Sequence, residues 1–407
     1  MSAPQLAPDR PAAALTPRRT LTRRQAFWSV GGLLALFLMA STAPSPMYAI
    51  YQQRWGFSAT VLTEVFAVYM VGILAALVLL GGLSDRIGRR PVLLASVALE
   101  IVSMVVLAFA PGVGWLFLGR VLQGIATGAA TSAISGSLLD FQPAGTGRGA
   151  TINAVAAGAG MAVGSAAAGL LVQFAPMPTT LSYLLLIAGF AVSLAVLWAM
   201  PEPVLVSGSL RDSLRPQRPT VPAGRGKVFA LLATTMLATW SVGGMFMSLG
   251  PSVAKGLVGG GSYLIGGLAV GAVTGVGAIA QLLLSGWSGR RSVRVAAPLL
   301  IVGLAGVAAS VLVGSAAMFF GGAVVLGIGW GLMFVGGFRL MTALADPDSR
   351  AGTASMIYVV AYLSSAVPSV VLGILTTHIG LTTSTLIFAI AAALFAAVAW
   401  TSTHVRT

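Results

Sequence analysis

Arg120 stands in the stretch FLGRVLQGIATG, three residues before Gln123 and inside an apolar run, in a chain of which only 8% is charged. A charge at the centre of a hydrocarbon layer costs about 2.5–3.5 kcal/mol on insertion scales, so such an arginine needs a functional reason. Two acids share its surroundings: Glu64 and Glu100 also lie in long apolar runs. A guanidinium beside a carboxylate favours the ionised acid, whereas apolar burial favours the protonated one. Alternation between paired and separated states therefore binds and releases a proton. At helical rise, Glu64 and Arg120 each fall within about 10 Å of one end of their runs, which makes Glu64 the expected partner and Glu100 the second candidate.

A second group of charges, Asp85, Arg86, Arg89 and Arg90, is packed into six positions of GGLSDRIGRRPVLL, residues 81–94, between two apolar runs. Glycines at 81 and 88 permit a sharp turn, and an acid at the end of one helix can accept bonds from arginines or a helix N-terminus. Other chemistries are excluded by composition. Zero cysteines rule out disulfides and thiolate sites, and His378 and His404 are too few and too peripheral for a metal centre. No nucleotide-binding loop or nucleophile triad is present, so an enzyme is not expected. The net charge of +14 does not signal nucleic acid, because the arginines collect in short connections rather than along a stripe with stacking aromatics.

The elements that must position these residues follow from the apolar runs. Mean hydropathy is +0.95 and 57% of residues are hydrophobic, too much for a water-facing exterior. Runs near 26–48, 60–81, 91–110, 114–139, 150–174 and 181–200 are followed by the polar, proline-containing stretch 201–227, then by runs near 228–250, 263–285, 295–314, 316–341, 353–377 and 384–400. Each is long enough to cross a bilayer as a helix, and none alternates like a barrel strand. Expected, then, is an all-α membrane protein of twelve transmembrane helices: a six-helix bundle at 26–200, a cytoplasmic linker at 201–227, a second bundle at 228–400, and cytoplasmic tails at 1–25 and 401–407. With that orientation nineteen of the 23 Lys and Arg fall inside and only Arg54 and Lys255 outside, while Arg120 and Arg339 lie within runs. Pro44 and Pro46 should break the first helix near the outer surface, with Tyr48, Tyr51, Trp55 and Phe57 as an interfacial anchor. The halves repeat at an offset of 201 to 204 residues: Gly88-Arg89-Arg90 with Gly289-Arg290-Arg291, GIATG with GIGWG, and VGSAAAGLL with VPSVVLGIL. That register makes the bundles pseudo-symmetric.

Six plus six helices together with Gly81, Asp85, Arg86, Gly88, Arg89 and Arg90, spaced G-x-x-x-D-R-x-G-R-R, resemble the major facilitator superfamily from about Trp28 onward. The resemblance implies that this loop is a latch between halves, with Asp140 as the acid paired to Arg89. The second copy lacks it, since Gly286 and Trp287 replace the Asp and Arg. Arg120, Gln123, Gly124 and Gly128 look like the family's helix-4 motif, found in proton-coupled members. GAGMAVGSAAAGLL is similar to the antiporter signature of the drug-efflux branch, but Ser165 takes the proline position and Ala168 that of a glycine, which weakens the likeness. In the family, helices 1, 4, 7 and 10 line the cavity, which would place Gln123, Thr127, Thr131, Trp240, Met245, Trp330 and Phe334 there. The implied function is a monomeric exporter of lipophilic, drug-like molecules in the bacterial inner membrane, driven by protons and using no cofactor. A sugar or organic-acid importer or proton symporter of the same fold is the alternative.

Overall fold

A computed structural model describes residues 20–145, 147–204, 219–259, 261–345 and 350–404. Twelve long helices form two groups of six: α1 Arg23–Thr42, α2 Ala59–Leu80, α3 Arg89–Ala108, α4 Val113–Phe141, α5 Arg148–Phe174 and α6 Leu181–Trp198, then α7 Gly226–Ser248, α8 Tyr263–Leu283, α9 Gly289–Val313, α10 Ala316–Thr342, α11 Arg350–Ile379 and α12 Leu381–Thr401. Eleven are apolar enough to cross a membrane. The exception is α4, diluted by Arg120, Gln123 and a series of hydroxyl residues. Burial is inverted relative to a water-soluble protein: Leu283, Val313 and Ile390 are 74%, 70% and 64% exposed, while Arg120 is 1% exposed and Glu100 and Gln123 are fully buried. Such a surface needs lipid around it.

Local chemistry sets the helix ends. Thr22 and Gln25 form a reciprocal capping box that starts α1 three residues before the apolar run. Ser58, Ser288 and Ser315 cap α2, α9 and α10. The prolines end α1 at Thr42, earlier than expected, and a turn at Ser45–Met47 leads into a short helix, Tyr48–Trp55, closed by Gly56 at φ +66°. The expected interfacial anchor is corrected here: Tyr48 and Tyr51 are only 2% exposed and turn inward, with Trp55 stacked on Tyr51 at 4.9 Å.

Packing explains why the repeats coincide. In the first half α4 crosses α2 with Gly124 against Gly72, where an added Cβ would stand 3.0 Å from the Gly72 Cα. In the second half α10 crosses α8 with Gly331 against Gly277, at 2.9 Å by the same measure. Side chains cannot fit in either seam. Gly160 and Gly164 of the weakened signature let α5 lie against α1, where Thr42 donates to the Met161 carbonyl at 2.9 Å, while Ser165 and Gly169 face Gly267 of α8.

The halves meet along α5 with α8 and along α2 with α11. Away from the arginine-bearing face this contact is closed: Thr60 and Thr377 share a hydrogen bond of 2.9 Å, Tyr263 N donates to Gln173 at 2.8 Å, and Tyr263 Oη reaches Gln53 at 3.3 Å. Thr63, fully buried, packs against Gly373 so closely that a Cβ there would lie 2.9 Å from the Thr63 Cβ. Gly373→Leu is therefore expected to hold this face open. With no native cysteine to interfere, a Cys placed at Thr63 should be shielded from a membrane-impermeant maleimide in the parent and labelled in the Gly373→Leu background. Equal labelling in both would show that the seam does not gate access.

Candidate functional site

Arg120 is held by α1 and its own helix. One Nη donates to the Ser41 carbonyl at 3.0 Å and to Gln123 Oε1 at 2.5 Å, and the guanidinium lies 4.0 Å over the Tyr69 ring of α2. Gln123 passes the interaction on, because an amide both accepts and donates. Its Nε2 donates to Glu100 Oε1 at 3.1 Å and to the Ala40 carbonyl at 3.0 Å. Glu100 of α3 is thus joined to Arg120 through Gln123, a link that depth along the helix could not show. Glu64, the partner expected from sequence, is exposed between buried Thr63 and Val65 and is corrected on that ground. Among the described residues Arg120 Nε and Glu100 Oε2 have no hydrogen-bond partner. A sealed carboxylate with one oxygen free is equipped to take a proton.

On the arginine-bearing face, Arg89 bridges Asp85, Ser84 at 2.7 Å and Asp140 at 3.1 Å, so the expected Arg89–Asp140 pair forms. Gly136 makes room for it, since a Cβ there would come within 2.6 Å of the guanidinium. Gly88, at φ +102°, supplies the turn into α3. Gly81 closes α2 and opens the turn that leads to the short helix Leu83–Ile87, as expected, and it also borders the cavity. Asp85 is largely exposed and its ion pair is with Arg89, within the first half, rather than with the second half.

The loop has a partner that sequence did not suggest. Glu202, in the stretch assigned to the linker, accepts from the backbone N–H of Arg89 at 2.8 Å and of Arg90 at 2.9 Å, capping α3 with a carboxylate. Arg90 in turn donates to the Trp198 carbonyl and lies 5.5 Å over its ring. The beginning of the linker is thereby fixed to the first half, and its end, from Gly226, belongs to α7. Residues 205–218 lie outside the described residues. Glu202→Gln keeps the shape and removes the charge, so it should destabilise the fold by about 1 kcal/mol. A melting midpoint unchanged in detergent would show that the cap contributes nothing.

In the second half the corresponding contact runs in reverse. Arg339, expected inside a span, sits in the last turn of α10 and donates to the carbonyls of Trp287 at 2.5 Å and Ser285 at 2.8 Å. An arginine in the last turn of α10 grips the preceding loop where, in the first half, Arg89 at the start of α3 grips Asp140 in the last turn of α4.

Between α2, α4 and α11, toward the arginine-bearing face, lies a cavity of about 180 Å³ bordered by Leu74, Leu77 and Val78, by Thr131, Ser132 and Ser135, and by Tyr358. Of the residues expected on the wall, Thr131 is there. Gln123 belongs to the Arg120 network instead, Thr127 is 2% exposed, and Met245 is 1% exposed in the core. Trp330 is also corrected, being 9% exposed with its indole N–H given to the Thr239 carbonyl at 2.9 Å. Trp240 and Phe334 belong to a closed circuit of rings, Trp240–Phe334–Phe338–Tyr358–Tyr362, with successive centroids 6.0, 6.1, 6.1, 6.3 and 4.9 Å apart. Sequence carried the signal, since Phe334 and Phe338, and Tyr358 and Tyr362, are four apart and share helix faces.

The family profile described as Major Facilitator Superfamily matches residues 28–368. The class C tetracycline resistance protein of Escherichia coli is 42% identical over 94 residues, 23% of either chain. The multidrug resistance protein MdtL of Klebsiella pneumoniae is 31% identical over 103 residues, 24% of this chain and 26% of that one. The chain thus spans about a quarter of the length of these curated relatives. Among solved structures, a bacterial homologue of the human lysosomal transporter Spinster, in an inward-facing and occupied conformation, superposes with a TM-score of 0.74 at 15% identity, covering 93% of this chain and 97% of that one.

Proposed function

The chain belongs to the Major Facilitator Superfamily, and from that premise we propose that it is a proton-coupled exporter of lipophilic or drug-like small molecules in the bacterial inner membrane, working by alternating access with both termini in the cytoplasm. The observation that carries the reading is the sealed Arg120–Gln123–Glu100 network with its free carboxylate oxygen. The same network grips the Ala40 and Ser41 carbonyls near the end of α1, and α1 packs on the glycines of α5, which in turn faces α8 across the seam between halves. A proton arriving at Glu100 neutralises the acid and weakens its hydrogen bond from Gln123. The grip on α1 changes, and with it the balance between the two access states.

Support for export comes from two relatives named for resistance to tetracycline and to multiple drugs, each matched over a fraction of its length. The arginine distribution supports the orientation. Reconstituted into liposomes with an imposed proton gradient, the protein should move an aromatic dye against its own gradient, in the direction opposite to the protons. Proton-driven movement of sugars or organic acids in the same direction as protons would replace this reading with that of a symporter.

A further inference from the structure

We infer that the cavity between α2, α4 and α11 takes an electroneutral molecule with a flat aromatic body and an edge of hydrogen-bond donors, an inference that deepens the export reading and depends on it only for direction.

Charge comes first. None of the residues bordering the cavity is charged. Of the ionisable groups inside the apolar runs of the first six helices, Glu100 and Arg120 are sealed off at 0% and 1% exposure and Glu64 lies on the exposed side of α2, while Arg89, packed against Gly136 beyond the cavity wall, is engaged by Asp85 and Asp140. From residue 219 to the end the sequence holds two acids, Asp346 and Asp348, both in the connection between α10 and α11 and outside the described residues. A permanent ion entering this cavity leaves water without meeting a counter-charge on the wall, which is costly.

The α4 wall sets the polar edge. Thr131 donates to the Thr127 carbonyl at 2.7 Å, Ser132 to the Ala129 carbonyl at 3.1 Å and Ser135 to Asn153 Oδ1 at 3.1 Å. All three hydroxyl hydrogens are committed to the protein, so the oxygens present lone pairs to the cavity. A ligand that satisfies them must bring donors.

Opposite, the aromatic circuit supplies the flat surface. Tyr358 and Tyr362 are stacked while the other ring pairs of the circuit meet edge-to-face or tilted, and of the five rings Tyr358 alone borders the cavity, so it offers too few ring faces to surround a cation. It acts as a wall on which an aromatic body stacks, rather than as a cage.

Three probes that share one ring system test this: 2-naphthylmethanol, its methyl ether, and 2-naphthylmethyl-trimethylammonium, measured by equilibrium dialysis against the full chain in detergent. The alcohol should bind about five-fold or more tightly than the ether, which lacks the donor. The ammonium should bind at least about ten-fold more weakly than the alcohol. Tyr358→Ala should weaken the alcohol about ten-fold and Tyr358→Phe should not. Ser132→Asp, which places a charge on the wall, should reverse the order in favour of the ammonium, and this gain does not depend on Tyr358→Ala folding. Binding of the ammonium as tightly as the alcohol, an ether equal to the alcohol, insensitivity to Tyr358→Ala, or binding of none of the three would each overturn the inference. Dialysis needs no gradient: binding in this order without proton-driven export removes the export reading alone, and export of a quaternary cation without alcohol binding removes this inference alone.

Discussion

Glu100→Gln is expected to bring gradient-driven transport in proteoliposomes down to the level of empty liposomes while leaving probe binding within about two-fold of the parent. The amide keeps the hydrogen-bonding shape toward Gln123 but cannot take up or release a proton, so the residual flux should lose its dependence on pH. Arg120→Lys should fail in the same assay. Lysine places a point charge where the guanidinium now reaches Ser41 and Gln123 and lies flat on Tyr69. Glu64→Gln is the control: an exposed acid on the outer side of α2 should be dispensable. Full gradient-driven transport by Glu100→Gln would move the proton site elsewhere, and loss of transport in Glu64→Gln would restore the sequence-based choice.

Gly124→Val should abolish the folded first half rather than tune it. A Cβ at this position would meet backbone, the Gly72 Cα at 3.0 Å and the Ile73 nitrogen at 3.1 Å, and backbone cannot rotate away as a side chain can. Prising α2 from α4 costs about 3 kcal/mol or more, a large share of an ordinary stability margin, and disturbs the Tyr69 surface beneath Arg120. Gly32→Ala in α1 makes the opposite case. It meets nothing within 4 Å and replaces a poor helix former with the best one. Membrane yield and size-exclusion profile separate the two variants; normal behaviour of Gly124→Val would mean that the crossing is looser than its geometry.

Much of this architecture was legible because it is written along the chain. Run length and charge placement gave the helices, and α4 was found although polar residues dilute it. The Arg89–Asp140 pair was legible only through the family resemblance, which pairs an acid at the end of the fourth helix with the arginines of this loop. What failed were questions of direction around a helix. Depth matched Glu64 to Arg120, but nothing in a single apolar run says which side of α2 looks inward. The same lack of azimuth put Met245 and Trp330 on the cavity wall and left Tyr358 and Tyr362 unnoticed. Arg339 does lie within its run, in the last turn of α10, but its grip on the Trp287 and Ser285 carbonyls could not be read from hydropathy. Glu202 was hidden because its partners are 113 and 112 residues away in sequence, beyond the reach of any local pattern.

The fastening of Glu202 to α3 bears on how the molecule is made. Leu21 donates to the Ala199 carbonyl at 2.8 Å and Arg23 to the Asp140 carbonyl at 2.5 Å, so both ends of the first half are tied down within it. Every partner in these contacts has left the ribosome once residue 202 has, before α7 emerges, and an N-terminal unit that can complete its own bonds folds ahead of the rest. The second half then assembles against a finished template whose seam, along α5 and α2, is already shaped. Cutting the chain between residues 205 and 218 should accordingly leave two fragments that, co-expressed, find each other in the membrane.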